Sequence, residues 1–215
     1  EYGAYVIGGD TGEASDLIIS ISLFGVATRD RLMLRSGAKS GDILTVTGSF
    51  GNASAGLKLL QSQFKATSKI RRVLADAVLL PRARLKEGLA LCTSKAVTAA
   101  IDSSDGLAWS LHEIAKASNI GFLADQLPVS SEAEKFAKIN GLDVYELALY
   151  GGEEYELVLT VKPELWSRAE RAVESVGGHL WQIGKVTADK QVVLDVGSGR
   201  RVVERRGWEH FKSKF

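Results

Sequence analysis

Three clusters of acidic residues stand beside glycines in this sequence: Gly8-Gly9-Asp10-Thr11, Asp102-Ser103-Ser104-Asp105-Gly106-Leu107 and Gly151-Gly152-Glu153-Glu154-Tyr155-Glu156-Leu157. Glycine lets backbone approach a ligand closely, so each cluster can set carboxylates against a bound group. The second carries the most chemistry. A buried strand, Ala96 to Ile101, runs into Asp102, and a helical pattern opens near Asp105. The first backbone N–H groups of that helix would be free to hold phosphate. Two carboxylates three residues apart can both face a hard cation, and magnesium favours carboxylate oxygen together with phosphate and water. Each cluster also has a plainer reading. The second suits an N-cap, the first a hairpin turn, and the third a solvated acidic strand start. Gly48, Gly51 and Gly56 form a looser glycine segment without the Gly-Lys-Ser/Thr ending of a P-loop. Tight helix–strand packing suits those glycines as well as phosphate contact does.

Other chemistries find little support. The single cysteine, Cys92, leaves no internal disulfide and no cysteine zinc cluster. It lies in an apolar stretch and reads as a small core residue. His112, His179 and His210 are far apart and match neither an HExxH pattern nor a Ser-His-Asp arrangement. With 27 basic against 26 acidic residues the net charge is +1, so nothing indicates a nucleic-acid surface. The best basic cluster, Arg200, Arg201, Arg205 and Arg206, is interrupted and reads as a solvated strand edge and turn. No apolar run is long enough to span a bilayer and no signal-peptide pattern is visible, so no membrane is expected and the expected compartment is the cytoplasm.

The elements that must position these clusters alternate between strand and helix, an α/β (α+β) pattern. Strands are expected near Tyr5–Asp10 and over Leu17–Val26, Asp42–Thr47, Ala96–Ile101, Phe122–Ala124, Glu154–Val161, Leu180–Val186, Val192–Val196 and Arg201–Val203. Helices are expected over Ala55–Phe64, Lys69–Leu80, Arg84–Cys92, Leu107–Ala117, Glu132–Ile139, Val144–Leu149 and from Pro163 to about Val176. The 45% hydrophobic content and the length suit one large domain, or one domain plus part of another. The strand that opens the chain suggests a fragment of a longer protein.

The order of segments carries a resemblance. GGDT, RSGAKSGD, VTGSFGNASAGL, IDSSDGLA, YGGEEYELVLT, IGKV and GWEHF follow one another from about Gly8 to Phe211. This order resembles the thiamine-monophosphate kinases. They belong to an ATP-using family that includes aminoimidazole ribonucleotide synthetase, selenophosphate synthetase and a hydrogenase-maturation protein. IDSSDGL with GGEEYEL resembles the kinase branch in particular.

The resemblance implies phosphorylation of thiamine monophosphate to the diphosphate, with ATP as co-substrate and Mg²⁺ as cofactor. It implies metal binding by Asp10, Asp102 and Asp105, and nucleotide contacts from Gly9, Arg35 and Ser104. Glu153 and Trp208 would contact the thiamine phosphate, since a cationic thiazolium stacks well on an indole face. No catalytic side chain is assigned, because transfer would be in line and metal-assisted. The implied fold is a C-terminal mixed-sheet domain with flanking helices, residues 39–215. Residues 1–38 would be the last strands of an incomplete N-terminal ATP-binding domain. The family's earlier segment, with its paired-aspartate motif and further metal ligands, has no counterpart in these residues; it is expected to supply much of the nucleotide site and the dimer sheet. The complete enzyme is expected to be a homodimer. Asn52 stands where an aspartate is frequent, and Ala83 where the family has a proline. Two further expectations are a non-catalytic substrate-binding fragment and another ATP-dependent enzyme of the same superfamily.

Overall fold

The computed structural model describes residues 2–208. They divide into two units, with the break between Leu32 and Met33. Residues 2–28 carry no helix or strand, and the first unit's only regular element is a 3₁₀ turn at Arg29–Arg31. The strands expected over Tyr5–Asp10 and Leu17–Val26 are therefore not formed. A strand exists through hydrogen bonds to a neighbour, and no ladder among the described residues includes these. Their apolar side chains are open to solvent, with Val6 at 95% and Val26 at 99% exposure.

The second unit is built on one mixed sheet. Its strands are β1 (Ile43–Val46), β2 (Val97–Asp102), β3 (Gly121–Ala124), β4 (Leu157–Val161), β5 (Trp181–Thr187), β6 (Val192–Asp195) and β7 (Arg200–Val202). The order is β2-β4-β1-β5-β3-β6-β7. All neighbours are antiparallel except β3 and β6. Short β-branched and apolar runs suit such half-buried strands.

Seven α-helices accompany the sheet among the described residues: α1 (Asn52–Gln61), α2 (Ser68–Leu79), α3 (Leu85–Ser94), α4 (Leu107–Ser118), α5 (Ser131–Asn140), α6 (Val144–Tyr150) and α7 (Trp166–Glu174). Local chemistry starts several of them. Thr67, Ser130 and Asp143 each accept a backbone N–H from the first turn of α2, α5 and α6. Asn119 and Gly141 close α4 and α5 in the left-handed conformation.

The sheet sits between two apolar layers. Leu107, Leu111 and Ile114 of α4 meet Val46, Ala99, Val158 and Ile183. Leu91 of α3 and Ala169 and Val173 of α7 meet Ala100, Leu159 and Val161. Adjacent residues Val158 and Leu159 thus face different layers, as the two-residue period of a strand requires. A third cluster joins α1, α2 and α5 through Leu59, Leu74 and Phe136. β2 and β4 lie side by side with Asp102 opposite Leu157, so the second acidic cluster, at the end of β2, meets the third, which runs into the start of β4.

The expected strand over Glu154–Val161 begins only at Leu157. Glu153 and Tyr155 have φ of 66° and 53°, left-handed values that break a strand. The alternation of Tyr155, Leu157 and Leu159 does not reveal this.

Candidate functional site

The loop Asp102–Gly106 joins the end of β2 to the start of α4. Its N-cap is Gly106, with φ of 110°, and no side chain caps the helix. That φ belongs to the region glycine tolerates, so the chain can turn sharply from strand to helix. The capping alternative for Asp105 and its serines is thus overturned. The carboxylates remain available, with Asp102 exposed and Asp105 half-buried.

Two other segments are tied to this loop by backbone hydrogen bonds. Glu153 N–H donates to Ser104 O at 2.7 Å and Tyr155 N–H donates to Ser103 O at 3.0 Å. Ser103 N–H donates to Glu156 O at 2.8 Å. Trp208 N–H donates to Asp105 O at 3.0 Å. Residues 49 to 103 positions apart in sequence therefore meet on one short loop. Left-handed backbone at two non-glycine residues costs energy, and it persists here because these bonds fix it.

The electrostatics agree with that geometry. Burial first, and then Glu153, Asp102 and Asp105, push the Tyr155 phenol pKa above its usual value. Three carboxylates thus act on one hydroxyl. Among the described residues no three His, Cys, Asp or Glu side chains form a ready cluster for a metal. Two aspartates with open sides suit magnesium, which takes few protein carboxylates and fills its shell with phosphate and water.

Sequence reasoning overlooked the neighbours of Glu153. Glu154 Oε1 accepts Gly51 N–H at 2.6 Å and Ala53 N–H at 3.1 Å, closing the start of α1. Burial pushes its carboxyl pKa up to about 7, although these backbone bonds pull the other way. Glu156 is buried and takes a fork of two bonds from Arg84, at 2.7 and 2.5 Å. Thr47 Oγ1 adds a third at 2.7 Å. Burial opposes the charge on Arg84, but Glu156, and then Glu87, outweigh it and hold its pKa up. Arg84, Glu154 and Glu156 line a cavity of about 440 Å³ with Asn52, Asp76 and Arg82. The repeated glutamates of GGEEYEL were the available signal. Their partners lie 72 and 103 positions away.

The remaining expected residues fall elsewhere. Arg35 is exposed, 3.9 Å from Glu113 and so further along α4. Gly9 and Asp10 lie in the first unit, where Asp10 Oδ1 accepts Thr11 N–H at 2.9 Å. No turn is formed at residues 8–11, so the hairpin alternative does not hold. The third cluster is not a solvated strand start, since Glu154 and Glu156 turn inward. Trp208 is 59% exposed, which rules out a core role. The expectation for His210 and Phe211 lies outside the described residues.

A family comparison decides the lineage: residues 39–197 match the C-terminal domain of the AIR synthase related proteins. The chain belongs to that family. Within it, the curated relatives of this AIR synthase related chain include thiamine-monophosphate kinases. The protein of Nitrosopumilus maritimus is 32% identical over 212 residues, covering 99% of this chain and 66% of the relative. Those of Pyrococcus abyssi and Escherichia coli are each 36% identical, covering 62% and 64% of the relative. The chain thus spans a little under two thirds of the relatives it matches. Among solved structures, AaThiL complexed with AMPPCP and TMP superposes with a TM-score of 0.70 at 30% identity, over 83% of this chain and 54% of that one. The hydrogenase maturation protein HypE of E. coli, at 23% identity and a TM-score of 0.65, shares the fold over 84% of this chain and 54% of its own.

Proposed function

We propose that this chain carries the acceptor side of a thiamine-monophosphate kinase, which transfers phosphoryl from ATP to thiamine monophosphate to give thiamine diphosphate. The observation that carries the reading is the pair of bonds from Glu153 and Trp208 to the Asp102–Gly106 loop. They bring a carboxylate and an exposed indole to the same loop as two aspartates. The indole suits a flat cationic ring and Glu153 suits a polar or cationic group of the same ligand. The opening N–H groups of α4 have no partner within the helix and suit phosphate.

Asp102 and Asp105 are the residues that would hold magnesium. The ion would neutralise charge on the transferring phosphates. Ser104, Arg35 and Gly9 would serve the nucleotide, and Asp10 a further metal. Residues 1–38 belong in this reading to the nucleotide-binding domain, and residues 39–215 to the substrate-bearing domain. Transfer needs two phosphates held in line and no covalent intermediate, so positioning supplies most of the catalysis. The same reading makes the enzyme magnesium-dependent, a homodimer and cytoplasmic; its support there is the resemblance of the sequence.

The test is a transfer assay with ATP and Mg²⁺, offering thiamine monophosphate, an aminoimidazole-type acceptor and a selenium acceptor in parallel. Thiamine diphosphate should form with the first alone. Transfer to either of the others would replace the reading. Binding of thiamine monophosphate without transfer would reduce it to a substrate-binding role.

A further inference from the structure

The basic cluster near the C-terminus does more than lie in solvent. Its guanidiniums are exposed, but each has a partner. Arg200 lies 3.6 Å from Asp195, and Arg201 lies 6.0 Å from the Tyr145 ring centre. The next two arginines reach different helices. Arg205 donates to Glu113 of α4 at 2.9 Å and lies 4.7 Å from the centre of the Trp109 ring. Arg206 donates to both oxygens of Glu146 of α6, at 2.7 and 2.8 Å, and lies 3.8 Å from the centre of the Tyr150 ring. Gly207 follows, and a Cβ there would stand 2.3 Å from Asp105 O and 2.9 Å from Trp109 Cβ. The N-terminal end of the segment is also held. Val203 N–H donates to Val192 O, and Val203 O is 2.8 Å from His112 Nε2.

We propose that Arg205 and Arg206 are positioning residues that clamp the segment 203–208 onto α4 and α6, and so set the place of Trp208 beside Asp105. The two helices are the ones that matter for such a role. α4 begins two residues after Asp105, and α6 ends at Tyr150, three residues before Glu153. The clamp therefore joins the metal-side loop to the acceptor-side loop. A lone exposed ion pair contributes little. Here each pair is combined with a guanidinium over an aromatic ring, two act in tandem, and Gly207 leaves no room for a looser seat. That Trp208 serves the acceptor rests on the function proposed above; the clamp itself does not.

The test uses the full chain with Arg206→Ala, Arg205→Ala/Arg206→Ala, Tyr150→Phe and Tyr150→Leu. Hydrogen exchange at the Trp208 amide reads the clamp without any ligand. It should accelerate about 3- to 30-fold in Arg206→Ala and Tyr150→Leu, more in the double variant, and least in Tyr150→Phe, which keeps the ring face and loses only the hydroxyl bonded to Arg206. Thiamine monophosphate should bind more weakly by a similar factor in the same variants, with the dissociation constant for ATP unmoved. Unchanged exchange at Trp208 in the double variant would overturn the proposal. So would an equal loss of both ligands, which signals general damage. If the unaltered chain binds no thiamine monophosphate, the functional reading falls, and the exchange rates still decide the clamp.

Discussion

Glu154 shows how a single carboxyl can be both structural and titratable. Its folded pKa of about 7 lies above the ordinary 4.5, because burial disfavours the charge. The folded protein then binds the proton more tightly than the unfolded chain. Glu154 therefore contributes most below about pH 4.5, and that contribution is lost as pH rises through 7. Glu154→Gln keeps an oxygen for Gly51 and Ala53 but carries no charge. It should be more stable than the parent at pH 8, by about 1–3 kcal/mol, and the two should converge towards pH 4.5. Thermal unfolding across that range checks this, and a Gln variant less stable at pH 8 would contradict it. Ser103 offers a second check. Its buried hydroxyl has no hydrogen-bond partner among the described residues. Ser103→Ala should hold stability or raise it by about 1 kcal/mol, since an unmade buried bond costs about that much. Asp102→Ala should behave differently again. It should abolish most transfer in the assay while leaving the unfolding temperature unchanged or higher, because removing one of several facing carboxylates relieves repulsion.

Between elements, the site is held by contacts that span long stretches of chain. Arg84, just before α3, is fastened to Glu156, just before β4. Glu156 in turn holds Ser103 by its carbonyl. Glu156→Ala would leave Arg84 half-buried without its main partner and should cost about 2–4 kcal/mol. Replacing both, as Arg84→Met with Glu156→Leu, should recover most of that loss. Chemical denaturation of the three variants tests it, and equal losses in the single and double variants would rule out an orphaned charge as the cause. The elements themselves were largely legible in the sequence. The helix at Leu107 follows from apolar spacing and the end of α2 from Pro81, whereas α5, expected from Glu132, starts one residue earlier under the Ser130 cap. The three-residue strand error at Glu154–Glu156 has a clear cause. Left-handed φ at Glu153 and Tyr155 comes from long-range bonds to Ser103 and Ser104, and side-chain type alone does not signal it. The strands expected in residues 5–26 were read from β-branched composition, yet composition supplies no ladder partner.

At the scale of the whole molecule, what the sequence withheld was adjacency. The β2-β4-β1 order sets IDSSDGL beside GGEEYEL, although 43 residues separate them. Trp208 reaches the same loop from the end of the described chain. The exposed apolar run Leu17–Val26 bears on assembly. Unpaired apolar segments of this kind invite pairing with another chain. Ile19→Lys with Ile21→Lys should shift the protein towards monomer in sedimentation velocity, and an unchanged association state would remove that run from the interface. The central claim, that Asp102, Asp105, Glu153 and Trp208 serve one thiamine monophosphate site, is tested most directly by calorimetric titration of that ligand with Mg²⁺ present. Saturable binding is predicted for the unaltered chain. Trp208→Ala should weaken it roughly 2- to 30-fold without lowering the unfolding temperature. Equal affinity in both proteins, or no saturable binding at all, would contradict the account.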